Sequence, residues 1–203
     1  MIQPVVEGDG EVAAVPVLLR RLMAELGVYD VRVNRCILIK RQQLPREADF
    51  RAKVQLATAK SGVRAVLVLA DLDEDCARNL VPNLTRWASE ETFLPCAIVL
   101  ARREYEAWFL ASLESLRSER GVRENASYVP DPEAKGSAKD ALSRFMPRNA
   151  PYQPTTHQAA FSARFDLAQA YQRASSFRKL VRELCRVLTA CDHQPIIPDD
   201  WTA

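Results

Sequence analysis

The hydrophobic positions in the first half of the chain alternate between short apolar runs and stretches with helical spacing. The apolar runs predict β-strands over residues 2–6, 31–39, 64–70 and 95–101. Between them, apolar residues that recur every three or four positions predict helices over about 11–26, 47–61 and 76–91. The last two strands are apolar throughout, which is typical of central parallel strands buried on both faces. This alternation predicts an α/β fold in which helices flank a doubly wound parallel sheet of about four strands.

Proline and glycine set the limits of the predicted helices. Pro16 conflicts with a helix that begins at Glu11, so this helix either begins near Pro16 or is kinked there. Pro82 predicts an interruption of the third helix. Gly27 and Gly62 are expected to end the first and second helices.

The pattern changes after about residue 117. A helix over 104–116 is followed by polar, Pro- and Gly-containing segments at 118–136 and 147–157, which predict loops on either side of a short helix. Further helices are expected over 161–171 and from a cap at Ser175 or Ser176 to about Cys191, before an irregular tail. We therefore expect an α/β core over residues 1–117 and a helical extension over 118–203 that packs on it.

The amino-acid composition limits which classes of protein fit this sequence. Of the 203 residues, 48% are hydrophobic, which is enough for a substantial core, and the net charge of +2 is not the strongly basic balance of many nucleic-acid binders. The five cysteines show no CxxC spacing or disulfide pattern, which favours a reducing compartment. With no apparent signal peptide and no apolar segment of about 18 residues, we expect a cytoplasmic protein that does not enter a membrane.

The most informative polar residues are acids that directly follow predicted strands. Glu7 follows the first strand, Asp71 and Asp73 follow the third, and Glu104 and Glu106 follow the fourth. Because the carboxyl ends of parallel strands form one ligand-binding edge, these carboxylates are expected to meet there. They would repel one another without a cation, and oxygen ligands suit Mg²⁺ or Mn²⁺. The competing interpretation is a set of solvated loop acids and of acids that complement helix dipoles.

Basic residues form two further candidate sites. Lys135 and Lys139 flank a Gly-Ser helix start and either bind phosphate there or are ordinary surface lysines. The last long helix carries a basic polar side, which is either a solvated face or a surface for nucleic-acid phosphates or a protein partner; its members are Arg178, Lys179, Arg182 and Arg186.

The order of these short motifs resembles the TOPRIM domain of topoisomerases, primases and overcoming-lysogenization-defect nucleases. It is closer still to a TOPRIM-like bacterial family, the domain-of-unknown-function family numbered 4276. The likeness is carried by Val6-Glu7-Gly8-Asp9-Gly10-Glu11, Leu69-Ala70-Asp71-Leu72-Asp73, Arg103-Glu104-Tyr105-Glu106-Ala107-Trp108-Phe109, Lys135-Gly136-Ser137-Ala138-Lys139 and Ala174-Ser175-Ser176-Phe177.

This resemblance implies a TOPRIM-like, Rossmann-like fold and assigns roles to residues. Glu7 and Glu11 are the implied catalytic residues, and Glu7 would act as general acid or base with a possible metal contact. Asp71 and Asp73 would hold Mg²⁺ or Mn²⁺. Glu104 or Glu106, with Glu11, would supply a second metal site.

The implied function is metal-dependent hydrolysis of phosphodiester bonds in DNA or RNA. Members of this family are often encoded beside AAA- or ABC-type ATPases, and related proteins act in phage defence, so an ATPase partner is expected. Assembly into a homo-oligomer would be one way to supply the basic surface that the chain lacks. Two alternatives stay open: a non-catalytic TOPRIM-like interaction or sensor subunit, and a phosphohydrolase for small nucleotides.

Overall fold

The computed structural model describes residues 1–72 and 77–202, and the side chains of residues 77–79 are not described. The predicted metal ligand Asp73 lies outside the described residues. The strands are β1 Ile2–Val6, β2 Ile37–Leu38, β3 Ala65–Asp71 and β4 Cys96–Ala101. The α-helices are α1 Asp9–Glu25, α2 Glu47–Thr58, α3 Ala77–Glu91, α4 Ala107–Ala111, α5 Ala138–Ser143, α6 Ala159–Ser162, α7 Leu167–Arg173, α8 Ser175–Thr189 and α9 Asp199–Thr202.

The described strands form one four-stranded parallel sheet in the order β2-β1-β3-β4. Val68 pairs with Val5 on one side and with Ile98 on the other, so β1 and β3 are the central strands. Both have apolar side chains buried on either face, as the unbroken apolar run of β3 predicted. The predicted α/β class with flanking helices and a helical C-terminal part is confirmed. The carboxyl ends of β1, β3 and β4 lie side by side at one edge of the sheet.

The second strand is much shorter than the predicted strand over 31–39. Only Ile37–Leu38 pair in the ladder with β1, and Val33 adds an isolated bridge to Ile2. Between these points, the buried side chain of Gln3 donates to the carbonyl of Arg35 and accepts from the side chain of Asn34. Side-chain hydrogen bonds thus take the place of ladder hydrogen bonds, and alternation of apolar residues alone did not reveal this.

Two prolines lie inside helices, and neither ends the helix that contains it. The first helix begins at Asp9, earlier than predicted, and continues through the buried Pro16. The third runs from Ala77 to Glu91 through Pro82, so the predicted interruption is wrong. Gly27 does follow the end of the first helix, with a left-handed φ of 75°.

The helices of the last hundred residues are shorter than predicted. The helix expected over 104–116 is α4 followed by a 3₁₀ turn at Leu113–Leu116, and the helix expected over 161–171 divides into α6 and α7. The predicted serine cap of α8 is also wrong. Ala174 is the N-cap residue, and the carboxylate of Glu133 accepts the first backbone N–H groups of the helix. Packing against the core holds these short helices, because they are too short to be stable alone.

The helical C-terminal part shares its core with the sheet. On one face, Leu18 of α1 packs in the same cluster as Trp108, Phe161 and Phe177. The indole N–H of Trp108 donates to the hydroxyl of Ser176 at 2.9 Å, which ties α4 to α8. The other face of the sheet packs against α2 and α3. Throughout the described chain, no helix is long and apolar enough to cross a lipid bilayer.

Candidate acidic pocket at the carboxyl edge of the sheet

A pocket of about 550 Å³ lies where β1 and β3 end. One wall is the turn that follows β2, and the opposite wall comes from the helical C-terminal part of the chain. The lining residues are Glu7, Gly8, Asp9, Gly10, Glu11, Lys40, Arg41, Gln42, Asp71, Lys139, Gln153, Pro154, Thr155 and Gln158. The two halves of the chain therefore form this pocket together.

The ends of β1 and β3 bring Glu7 and Asp71 together, as their positions after two strands predicted. Glu7 Oε2 lies 3.3 Å from the backbone nitrogen of Asp71, which donates to it. The Arg41 guanidinium lies 3.8 Å from the same Glu7 oxygen and donates to the backbone carbonyl of Asp71. Since β1 and β3 are neighbours in the sheet, a separation of 64 residues in sequence becomes direct contact.

Glu11 lies in the first turn of α1 and is 4% exposed. Its carboxylate accepts the backbone N–H groups of Glu7 and Gly8 at 3.0 and 3.3 Å, so it also satisfies N–H groups at the start of the helix. Burial, with added repulsion from Glu106 and Glu7, raises the pKa of Glu11 to about 7 despite these hydrogen bonds. Glu11 therefore combines a structural contact with a proton affinity suited to neutral pH.

A tight turn after β4 directs two more acids toward the pocket edge. Arg103 adopts a left-handed φ of 71°, which is uncommon for a residue with a side chain. After this turn the backbone N–H of Tyr105 donates to Asp71 Oδ1 at 2.8 Å. The Glu104 carboxylate accepts the backbone N–H of Lys139 at 2.8 Å, and Glu106 is wholly buried at the start of α4.

Lys139 lies among three of these carboxylates. Its Nζ is 3.4 Å from Asp71 Oδ2, 3.1 Å from Glu104 Oε1 and 3.3 Å from Glu106 Oε2. Burial opposes the ammonium charge, but the three acids outweigh it and raise the pKa of Lys139. The predicted phosphate ligand Lys139 thus reaches the site through ion pairs with acids. Lys135 precedes Lys139 by four residues, but it is exposed and does not line the pocket.

The acids outnumber the cations around the pocket. Among the described residues, six carboxylates line the pocket or adjoin it, those of Glu7, Asp9, Glu11, Asp71, Glu104 and Glu106, and three cations line it, Lys40, Arg41 and Lys139. If all were ionised, six negative and three positive charges would leave a formal excess of three negative charges. Burial accordingly raises the pKa of Asp71, with Glu11 adding to the effect, and burial also raises the pKa of Glu106. The site favours an additional proton or cation.

The chemistry of these donors fits a hard divalent cation, since carboxylate oxygens are the ligands Mg²⁺ and Mn²⁺ prefer. The arrangement of these carboxylates is less complete than a metal site requires. Within residues 1–72 and 77–202, no three His, Cys, Asp or Glu side chains converge as a ready set of metal ligands. Lys139 lies among three of the acids, and the Glu11 carboxylate faces backbone N–H groups. Glu7 and Asp71 are the described residues that would hold an ion.

The structure adds residues that were not predicted as part of the site. Arg41 follows the second predicted strand, so the rule that identified the acids also points to it. Tyr152 and Gln158 gave no such signal, because they belong to the distant helical extension. The Tyr152 hydroxyl and Gln158 Nε2 donate to Glu106 Oε1 at 2.9 and 3.3 Å.

The predicted basic face of α8 does not line this pocket. Arg178 donates to the carbonyls of Tyr171 and Gln172, and Lys179 and Arg186 both pair with Glu183. The side chain of Arg182 is exposed. Three of the four residues therefore have intramolecular partners.

The fold and the pocket define an α/β protein with a buried acidic site at the carboxyl edge of a parallel sheet. The chain belongs to the family described as a domain of unknown function (DUF4276), whose model matches residues 6–185. No curated protein and no solved structure gives a significant match. The matched range contains every described residue that lines the pocket.

Proposed function

We propose that this protein is a Mg²⁺- or Mn²⁺-dependent phosphodiester hydrolase of the TOPRIM nuclease type. One observation carries the proposal: the acids that follow three parallel strands lie in or beside one pocket, where they outnumber the described cations. Clusters of buried groups with raised pKa values are typical of functional sites. A divalent cation together with a phosphate is the ligand pair that such a site would accept.

The residues of the pocket would have different roles in this reaction. Glu7 and Asp71 would hold the ion, with Asp73 as the further ligand that the resemblance implies. When bound, the ion would neutralise phosphate charge and favour formation of hydroxide from a bound water. Glu7 lies in the pocket and would move the proton, and Glu11 has a pKa of about 7, close to the optimum for proton exchange at neutral pH. Lys139 lines the same pocket and would contact the phosphate oxygens.

A non-catalytic interaction or sensor subunit is the second candidate. The observation that favours it is the position of Lys139, which already pairs with three carboxylates and gives them a structural explanation. The small-nucleotide phosphohydrolase has its own support in the pocket volume of about 550 Å³, within the usual range for small-molecule sites.

The substrate polymer and the partner are further parts of the proposal. We propose DNA or RNA as substrate and an AAA- or ABC-type ATPase as partner in prokaryotic defence, and the family resemblance described above is their support. The near-balanced charge fits a protein that relies on a partner or on self-association for affinity, because phosphate binding needs clustered Lys and Arg. Copurification of the chain with an AAA- or ABC-type ATPase from the same cells is the direct check.

The test of the hydrolase begins with Mn²⁺ binding, measured by calorimetry, and continues with incubation of plasmid DNA and RNA with Mn²⁺. The wild type is expected to bind the ion and cleave one of the polymers. Asp71→Asn should lose both properties, whereas Asp49→Asn, which changes a partly exposed acid on α2, should retain them. Equal behaviour of wild type and Asp71→Asn would favour the interaction subunit. Cleavage of mononucleotides alone would favour the small-nucleotide enzyme.

A further inference from the structure

Gln158 is a buried amide in the pocket wall, 2% exposed, and the chemistry of its neighbour fixes its orientation. Its Nε2 donates to Glu106 Oε1, which also accepts the Tyr152 hydroxyl. With Glu106 ionised beside Lys139, the reversed amide would place a carbonyl oxygen against a carboxylate, so the hydrogen-bond network selects this orientation. Oε1 is therefore turned away from Glu106.

The Gln158 oxygen faces the first turn of α1. A Cβ built on Gly10 would lie 2.3 Å from Oε1 and 3.0 Å from Pro154, so a side chain at position 10 would displace the Gln158 amide or the Pro154 backbone. Within the described part of the chain, Oε1 is buried and has no hydrogen-bond partner. A buried acceptor without a donor lowers stability, so the contact with Gly10 leaves the amide unsatisfied.

The backbone that carries Gln158 is unusual. Residues Pro154–Gln158 form a π-helical turn, a rare conformation that is frequent at functional sites. The turn lies against α1 and lines the pocket through Pro154, Thr155 and Gln158. The buried amide oxygen of Gln158 thus belongs to an unusual turn in the pocket wall.

We propose, building on the metal-dependent hydrolase above, that Gln158 is a ligand-binding residue of this site. Its Oε1 exchanges the contact with Gly10 for a hydrogen bond from a donor on the bound ligand. The donor is an O–H group, and its source is either a water carried by the metal ion or a hydroxyl of a ribonucleotide. A site with an unpaired buried acceptor discriminates strongly between ligands with and without the matching donor.

The test compares Gln158→Met with Gln153→Met, an exposed residue on the rim of the same pocket. The probes are Mn²⁺ alone, AMP and 2′-deoxy-AMP, each titrated by calorimetry. If the donor is metal-bound water, Gln158→Met should weaken Mn²⁺ binding by about fivefold or more. If the donor is a ribose hydroxyl, the wild type should prefer AMP over its deoxy analogue, and the variant should lose that preference. Gln153→Met should change neither by more than about twofold.

Tyr152→Phe separates a direct contact from an indirect one, because it removes the second described hydrogen bond to Glu106 Oε1 and keeps the Gln158 side chain. A loss of binding in Tyr152→Phe equal to that in Gln158→Met would overturn the proposal, since Gln158 would then act only by orienting Glu106. Unchanged binding in a folded Gln158→Met would overturn it as well. If that variant does not fold, amide hydrogen exchange of residues 153–159 in the wild type decides the matter: Mn²⁺ or AMP should alter it, and no change overturns the proposal.

These outcomes are distinct from failure of the proposed hydrolase. Absence of Mn²⁺ binding and of cleavage in the wild type would reject the metal-dependent activity. The nucleotide titrations would still decide the role of Gln158, because preference for the ribose hydroxyl does not require turnover.

Discussion

Two buried glutamates of this protein, Glu133 and Glu106, are satisfied to very different extents. Glu133 is 3% exposed and accepts the backbone N–H and hydroxyl groups of both Ser175 and Ser176 at the start of α8. Glu106 is 0% exposed, and its Oε1 accepts two hydrogen bonds. Its Oε2 lies 3.3 Å from Lys139 Nζ but has no hydrogen bond of acceptable geometry within the described chain.

This difference distinguishes a structural acid, Glu133, from an acid of the candidate functional site, Glu106. A buried carboxylate with a full set of donors stabilises the elements that it joins. Burial raises the pKa of Glu106, so the folded protein disfavours the charge of this carboxyl group. Residues retained at such a cost are candidates for function.

The largest expected effect comes from exchanging these two acids for neutral residues. Glu133→Ala should lower the free energy of unfolding by about 2–4 kcal/mol, because it leaves buried donors at the start of α8 without an acceptor. Glu106→Gln should change it by less than about 1 kcal/mol or increase it, because the group it removes carries a disfavoured charge. Urea denaturation at neutral pH measures both. A loss in Glu106→Gln as large as that in Glu133→Ala would remove the distinction.

The pH dependence of stability should show the buried acids of the site directly. Burial raises the pKa of Glu11 from its ordinary 4.5 to about 7, and burial raises the pKa of Asp71 and Glu106 in the same direction. Between 4.5 and about 7 the folded state binds more protons at Glu11 than the unfolded state, so the Glu11 contribution to stability falls over this interval and then levels off. The contribution of Glu11 is on the order of 3 kcal/mol.

Urea denaturation in EDTA at about pH 5 and about pH 8 measures this change, with Glu11→Gln as the matched variant. The variant should show a smaller loss of stability across the interval than the wild type. Carboxylates with lowered pKa values, such as Glu183 and Glu114, contribute equally to the slopes of both proteins. Their contribution therefore cancels when the two slopes are compared. Identical slopes would mean that Glu11 is ionised in the folded protein throughout this range.

Gly8 and Gly10 differ in how closely their surroundings pack, so alanine at each position tests whether the site is tightly packed. Gly10→Ala should destabilise the protein by about 1–3 kcal/mol, because its Cβ would overlap the turn that carries Gln158 and supports Glu106. Gly8→Ala should be tolerated within about 0.5 kcal/mol, because the nearest neighbour of its Cβ would be 3.8 Å away and its φ is −105°. Thermal denaturation distinguishes them. Equal midpoints for the two variants would show that the Gly10 contact is not tight in solution.

The smallest expected effects concern cations with and without a role in the fold. Arg178→Ala should cost about 1 kcal/mol, because its guanidinium bridges two carbonyls at the end of α7. Arg182→Ala replaces an exposed side chain on the same helix and should stay within about 0.5 kcal/mol. Denaturant midpoints give the comparison, and a nucleic-acid retention assay on the same proteins tests the predicted basic face. Loss of retention in Arg182→Ala without loss of stability would assign that face to binding.

Much of the fold could be predicted because the relevant signals are local. The apolar runs of β1, β3 and β4 require burial on both faces, and that requirement predicts a parallel sheet covered by helices. The same topology predicted that Glu7 and Asp71 would meet. The extent of β2 was wrong because Gln3 replaces ladder bonds with side-chain bonds, and the break at Pro82 was wrong because helix packing outweighs one missing hydrogen bond.

The sequence by itself determined the order of strands and helices and the edge at which the acids collect, since both follow from the periodicity of apolar residues and from strand ends. Only the tertiary structure decided what surrounds those acids. Lys139, Tyr152 and Gln158 reach the site from a helical region with no regular spacing to the sheet. Burial and net charge at a point in space depend on every chain segment that passes nearby, and a one-dimensional pattern does not contain that sum.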